Sequence, residues 1–377
     1  MIMGALVAMG PLAWVWVRNQ QASPTRRLQA LTLLTLFLTF DLVMFGAFTR
    51  LTDSGLGCPD WPGCYGSASP VGASAHISAA QNAMPSGPVT HGKAWIEMIH
   101  RYLATGVGVL ILVLAAASWA VRRRAAPSRA PAVAVNPWLA SLTLVWVCIQ
   151  GAFGALTVTM KLFPAIVTLH LLGGVVLLAL LCMLAVRYHQ AHRAVPLVAI
   201  GPHGRTLLGV TTGLVWIQIA LGGWVSTNYA VLACTEFPMC QASWWPAMNF
   251  AQGFELWREL GFTRAGEHIS FEALTAIHVA HRLFAVLVLL ALGLLAWRLR
   301  LVAGLRQHTR LLAGLATLQL VTGLSNVVLD WPLLAAVLHT GGAGALVVTL
   351  TWTACVSTSA SAHGVSTLTT TKTGTLA

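Results

Sequence analysis

The chain has 377 residues, 57% of them apolar and 8% charged, with several apolar runs of about twenty residues, long enough to cross lipid. That composition excludes a water-soluble globular domain and makes the chain a multi-pass protein of the lipid bilayer. The net charge of +12 is set by where the arginines stand relative to the spans. With no basic domain or RNA motif present, it supplies no nucleic-acid partner.

Residues 2–17 are apolar, but no basic residue precedes them as a cleaved signal peptide requires. With Arg18 and the basic turn that follows, residues 1–28 read as an N-terminal segment. It is either a ninth, short helix or a helix lying in the interface. Eight spans follow, at 29–51, 93–120, 138–158, 164–187, 205–228, 272–299, 310–328 and 333–356. Alternate connections hold Arg26, Arg27, Arg122, Arg123, Arg124, Arg129, Arg193, Arg300 and Arg306, with Lys372 beyond the last span and no acid among them. Basic excess marks the cytoplasmic side. The opposite face carries two long loops, 52–92 and 229–271, with Asp53, Asp60, Glu236, Glu255, Glu259 and Glu267, and is expected to face the periplasm. Within the first loop, 66–92 has little core-forming content and reads as a mobile segment. Residues 188–204 read as a cytoplasmic linker, and the Ser- and Thr-rich 357–377 as a disordered cytoplasmic tail.

The spans repeat. Residues 29–187 and 205–356 each hold four helices in one order: a helix, a long loop, a helix opening on a His-Arg pair, a basic connection, a helix, a tight turn, and a helix with a His-Gly motif. An even number of spans per half gives both halves one orientation. The fold class is therefore all-α, built of two parallel four-helix bundles about an axis along the membrane normal.

Cys58 and Cys64 lie in the first long loop, and Cys234 and Cys240 repeat their spacing in the second. On an oxidising face each pair reads as a disulfide, either structural or engaged in redox exchange, with free thiols as the alternative. Cys148, Cys182 and Cys355 fall in apolar spans and read as packing residues.

Four histidines carry the chemistry. Glu97-x-x-His100-Arg101 answers His278-x-x-His281-Arg282, and Leu169-His170-x-x-Gly173-Gly174 answers Leu338-His339-x-Gly341-Gly342. At about 1.5 Å per residue, His100 and His170 sit roughly 9–11 Å inside the ends of their spans, with His281 and His339 at matching depth. Zinc wants three or four ligands close together, whereas each half offers two recurring imidazoles. Two facing histidines suit the axial positions of a haem. Gly106, Gly108, Gly173, Gly174, Gly341, Gly342 and Gly344 leave room for the ring or serve close helix packing. Arg101 and Arg282 are placed either for haem propionates or for an ion pair inside the membrane. Symmetry breaks once, where Glu97 answers His278. A carboxyl at that depth is a candidate catalytic group, its alternative being a partner for Arg101 or Arg50.

Together with these motifs, the run Phe48-Thr49-Arg50-Leu51-Thr52-Asp53-Ser54-Gly55-Leu56, followed by Cys58-Pro59-Asp60-Trp61-Pro62, resembles the haem A synthase family over roughly residues 29–355. The resemblance implies an eight-helix inner-membrane oxidoreductase that converts haem O to haem A by oxidising the C8 methyl to a formyl group. It implies His100 and His170 as axial ligands of the substrate haem, and His281 and His339 as ligands of a haem b. It also implies Glu97 as the essential glutamate, Cys58 with Cys64 as the pair implicated in accepting haem O, and Cys234 with Cys240 as a disulfide. Haem O synthase and terminal oxidase assembly are the implied neighbours, and a homo-oligomer is compatible with all of this. The long 66–92 segment and the N-terminal helix depart from the smallest members.

No flavin or nicotinamide fingerprint is present, so electrons are expected from an external donor. Oxygen chemistry at an iron with two axial histidines admits two routes, loss of one histidine or attack of water on an oxidised ring with Glu97 taking the proton. Two rivals use the same histidines: a di-haem b cytochrome that only moves electrons, and a haem carrier or assembly factor that does no chemistry.

Overall fold

The computed structural model describes residues 2–124, 136–193 and 195–359. Arg129, Lys372 and most of the expected tail lie outside them. The N-terminal segment is a helix, α1 (Ile2–Arg18), followed by α2 (Pro24–Leu51), which Ser23 caps by accepting the Arg26 amide. The first long loop contains α3 (Ser74–Ala83), and α4 (His91–Arg124), α5 (Pro137–Thr159) and α6 (Pro164–Arg193) complete the first half. A two-residue strand β1 (Val198–Ala199) leads into α7 (Gly201–Thr227). The second long loop holds the single turn α8 (Phe250–Gly253), after which come α9 (Phe271–Leu299), α10 (Arg306–Val328), α11 (Leu333–Val356) and β2 (Ser357–Thr358).

Eight of these helices are long and apolar enough to cross a bilayer: α2, α4, α5, α6, α7, α9, α10 and α11. Lipid offers no partner for a hydroxyl, so polar residues in the spans turn back on their own helix. Thr32, Thr35 and Thr39 of α2 are buried and donate to the carbonyls four residues earlier at 2.7–2.8 Å. With 17 residues, α1 covers about 25 Å, slightly less than a hydrocarbon core. It packs along α4, where a methyl group on Gly4 would lie 2.6 Å from the Tyr102 carbonyl oxygen.

In the first half α2 and α5 each touch α4 and α6. In the second, α7 and α10 each touch α9 and α11. Thus α4 stands diagonally across from α6, and α9 from α11. Helices α6, α7, α11 and α2 form the seam between the halves. At the loop end that seam is tied by residues 176 positions apart: Arg50 donates to Ser226 O at 2.8 Å, and Tyr229 Oη donates to Asp53 at 2.6 Å. The Arg50 guanidinium also lies 4.0 Å from the centre of the Tyr229 ring.

One expectation changes and one gains detail. Within the largely exposed 66–92 segment, Ala73 and Ile77 are buried with Cys58, Cys64, Ala94 and Met98, which ties α3 to the loop end of α4. The tail also begins later than position 357, since Ser357 and Thr358 pair in parallel with Val198 and Ala199. That strand pair closes the arginine-rich end. There Arg205 donates to Ala354 O at 2.7 Å and to Ser357 Oγ at 3.1 Å.

Arg50→Ala removes the seam's charged hydrogen bond and its stacking on Tyr229, an expected loss of about 2 kcal/mol. It should lower the thermal unfolding midpoint in detergent measured by circular dichroism. Tyr229→Phe should lower it less.

Candidate functional site

Each histidine pair stands on two diagonally opposed helices: His100 on α4 with His170 on α6, and His281 on α9 with His339 on α11. A helix neighbouring each histidine presents a glycine to its ring. A methyl group built on Gly46 would lie 3.0 Å from Cε1 of His100, and one on Gly154 3.4 Å from Cε1 of His170. The distances for Gly222 against His281 and Gly323 against His339 are 3.0 and 3.1 Å. All four rings are thus seated in the same way, the Cε1 edge turned toward a backbone that carries no side chain at that point.

Three of those glycines follow a glutamine by four residues: Gln150, Gln218 and Gln319. Gln218 Nε2 donates to His281 O at 3.2 Å, and Gln319 Nε2 donates to His339 O at 2.9 Å. A methyl group on Gly173 or Gly342 would run into Gln150 or Gln319 respectively. The sequence reading passed over these glycines and glutamines, although the spacing Gln-x-x-x-Gly on three spans was visible. Single glycines in membrane helices read first as helix packing.

At the loop end of each pair sits a disulfide. Cys58 bonds Cys64 and Cys234 bonds Cys240, each within its own half. All four sulfur residues are buried, so neither bond is open to an external thiol in this conformation. Each loop closes with a small antiparallel bridge, Cys64 with Ser67 and Cys240 with Ser243. Cys182 and Cys355 are buried among apolar residues as expected. Cys148 is instead exposed on the surface of its span.

The two arginines hold these loops. Arg101 Nη1 donates to Asp60 O at 2.9 Å and to Gly63 O at 2.5 Å, while Nη2 pairs with Glu97. Arg282 donates to Glu236 O and Cys234 O, each at 2.9 Å. Its Nε donates to His278 Nε2 at 3.2 Å. Glu97, 4% exposed, also accepts the Cys58 amide at 2.8 Å. Glu97 and His278 therefore do the same mechanical work, orienting an arginine that grips carbonyls of a disulfide loop. The alternative weighed for Glu97, partner to Arg101, is present here. Arg50 is engaged elsewhere, at the seam. The guanidiniums of Arg101 and Arg282 point into loop backbone, which is where a propionate would have to compete or join.

Among the described residues no three His, Cys, Asp or Glu converge on a bare metal ion. The donor set fits a planar metal macrocycle: two imidazoles from opposed helices, an apolar lining, and cationic side chains at one end. His100 and His170 would hold one such group, and His281 and His339 another.

Fold and site define a multi-pass helical membrane protein with two bundle sites, each furnished with two histidines on diagonally opposed helices beneath a disulfide loop. The family model described as cytochrome oxidase assembly protein matches residues 29–351. The chain belongs to that family. It is 40% identical over 329 residues to the heme A synthase of Shewanella oneidensis, covering 84% of this chain and 92% of that one. It is 26% identical over 318 residues to the heme A synthase of Halalkalibacterium halodurans, covering 83% and 89%. It is 27% identical over 342 residues to that of Allorhizobium ampelinum, covering 86% and 89%.

The glycine seats lead to a steric expectation. Gly222→Val should push the His281 ring out of place and deplete pigment from the second half, read as loss of about half the Soret absorbance per mole of purified protein. The same change at exposed Gly209, where a methyl group meets nothing within 4 Å, should leave it unaltered.

Proposed function

We propose that this chain is an oxidoreductase of haem A formation, oxidising the C8 methyl of haem O to a formyl group for terminal oxidase assembly. The observation that carries this reading is the duplicated, glycine-seated imidazole pair in a chain so close to relatives named heme A synthase. In this reading residues 29–187 form the substrate half, where His100 and His170 hold haem O. Residues 205–356 form the second half, where His281 and His339 hold a haem b that supplies one-electron chemistry when bound.

The chain's own residues do the rest. The histidines of each pair, on opposed helices, would hold the group, and the apolar side chains of the bundle would exclude bulk water. Arg101 and Arg282 place positive charge at the loop end, where propionates are most easily accommodated. Glu97 stands one turn from His100 on the same face, and its carboxylate is the group there able to take a proton released as the methyl carbon is oxidised. The arginine-rich end faces the cytoplasm and the disulfide loops face the periplasm of the inner membrane, following the distribution of basic residues. The oxidant is dioxygen, whose second oxygen atom leaves as water at each step with two protons and two electrons from an external donor, and haem O synthase is the expected source of substrate.

Extraction of pigment from protein purified out of a haem O-producing host tests this reading. Haem A or its C8-hydroxymethyl precursor is expected alongside haem B. Haem B alone, with full occupancy of both halves, would make the protein a di-haem cytochrome.

Glu97→Gln keeps one acceptor, for the Cys58 amide, and gives up the pairing with Arg101, so haem content is measured beside activity and the fold is expected to hold with a lowered unfolding midpoint. It removes the charge and the proton-accepting capacity, and bound haem O or a hydroxylated intermediate should accumulate with haem A reduced at least about 100-fold, the lower range for a general base. Haem A production at the wild-type rate would leave Glu97 as the anchor of Arg101 and the first disulfide loop only.

A further inference from the structure

The two imidazole pairs differ in how the second ring nitrogen is held. In the second half both are engaged. Thr322 Oγ1 lies 2.9 Å from His339 Nδ1 and donates its own proton to Leu318 O at 2.7 Å. The threonine oxygen is therefore the acceptor of an Nδ1–H, and the lone pair of His339 Nε2 is left for a metal. The Gln218 side-chain amide lies 3.0 Å from His281 Nδ1, with its Oε1 otherwise unpartnered. That amide nitrogen also donates to the His281 carbonyl at 3.2 Å, so Nδ1 of His281 faces a polar side chain that the first half does not supply.

In the first half Nδ1 of His100 and Nδ1 of His170 are buried and have no hydrogen-bond partner among the described residues. The cause is legible position by position against the glycine seats. Thr322 immediately precedes Gly323, and the residue preceding Gly154 is Phe153. Gln218 stands four residues before Gly222, and the residue four before Gly46 is Leu42. The seats are conserved between the halves, while the hydrogen-bonding residue beside each is replaced by an apolar one in the first half.

A partner on Nδ1 fixes the tautomer and the ring plane and raises the basicity of the ligating nitrogen, and its removal typically weakens metal binding 10–100-fold. An imidazole without one can carry its proton on either nitrogen. We propose that this asymmetry sorts the two sites kinetically: Thr322 and Gln218 are positioning residues that make the second half retain its haem, while Phe153 and Leu42 keep the first half able to release one. The inference rests on the haem-binding reading above and deepens it, since a substrate must enter and a product must leave. A site that turns over needs weaker axial bonds than one that does not.

The test uses full-length protein carrying one site at a time, His281→Ala for the first half and His100→Ala for the second, each loaded with hemin and mixed with excess apomyoglobin. Hemin should transfer from the first site at least about 10-fold faster than from the second. Thr322→Val, close in shape, should speed transfer from the second site about 10-fold and shift its low-spin electron paramagnetic resonance signals. Thr322→Ser should restore both. Phe153→Thr should slow transfer from the first site. Equal transfer rates from the two sites, or Thr322→Val matching the unmodified second site in rate and spectrum, would overturn the sorting and leave haem binding itself standing. If neither site takes up hemin, both the sorting and the function proposed above fail.

Discussion

Lipid cannot hydrogen-bond, and that constraint governs where chemistry sits in this protein. Backbone polar groups are satisfied inside helices, threonines return their hydroxyls to their own helix, and the four histidines of the candidate sites are half-buried on theirs. Inside a bundle an imidazole needs space as well as partners. Glycine on an adjacent helix supplies the space at Gly46, Gly154, Gly222 and Gly323. The same choice of residue thus permits close helix approach and seats a flat ring.

The loop end follows a second, related rule. A loop bent back by a disulfide leaves carbonyl groups pointing toward the membrane, and a guanidinium rooted in the bundle is the side chain best able to collect several of them. Arg101 and Arg282 do so, and each then requires a neighbour one turn earlier to hold its own orientation. The first half uses a carboxylate and the second an imidazole. This makes Glu97 at once an anchor for Arg101 and Cys58 and the sole acid beside the first imidazole pair among the described residues. A residue with two such duties is poorly replaced by either a purely structural or a purely reactive side chain.

Much of this was legible in the amino-acid order. Eight apolar segments, the arginines at alternate connections, the cysteine spacing and the duplicated His-Arg and His-Gly motifs are local patterns, and local patterns survive in one dimension. The contact of Ala73 and Ile77 with α4 was not visible in the 66–92 segment, because its modest apolar content does not announce which helix it meets. The Gln-x-x-x-Gly spacing went unremarked for a similar reason. It acquires meaning only when another helix brings a histidine to the glycine.

By itself the sequence determined the membrane class, the number and order of spans, the twofold repetition and the identity of the four histidines, because hydropathy and spacing are properties of the chain alone. Only the tertiary structure decided that α4 stands diagonally across from α6 and α9 from α11. It also decided that Arg101 and Arg282 grip the disulfide loops, and that Nδ1 is hydrogen-bonded in the second pair and bare in the first. Those facts depend on which faces of which helices meet, and packing between segments far apart in the chain is what sets them.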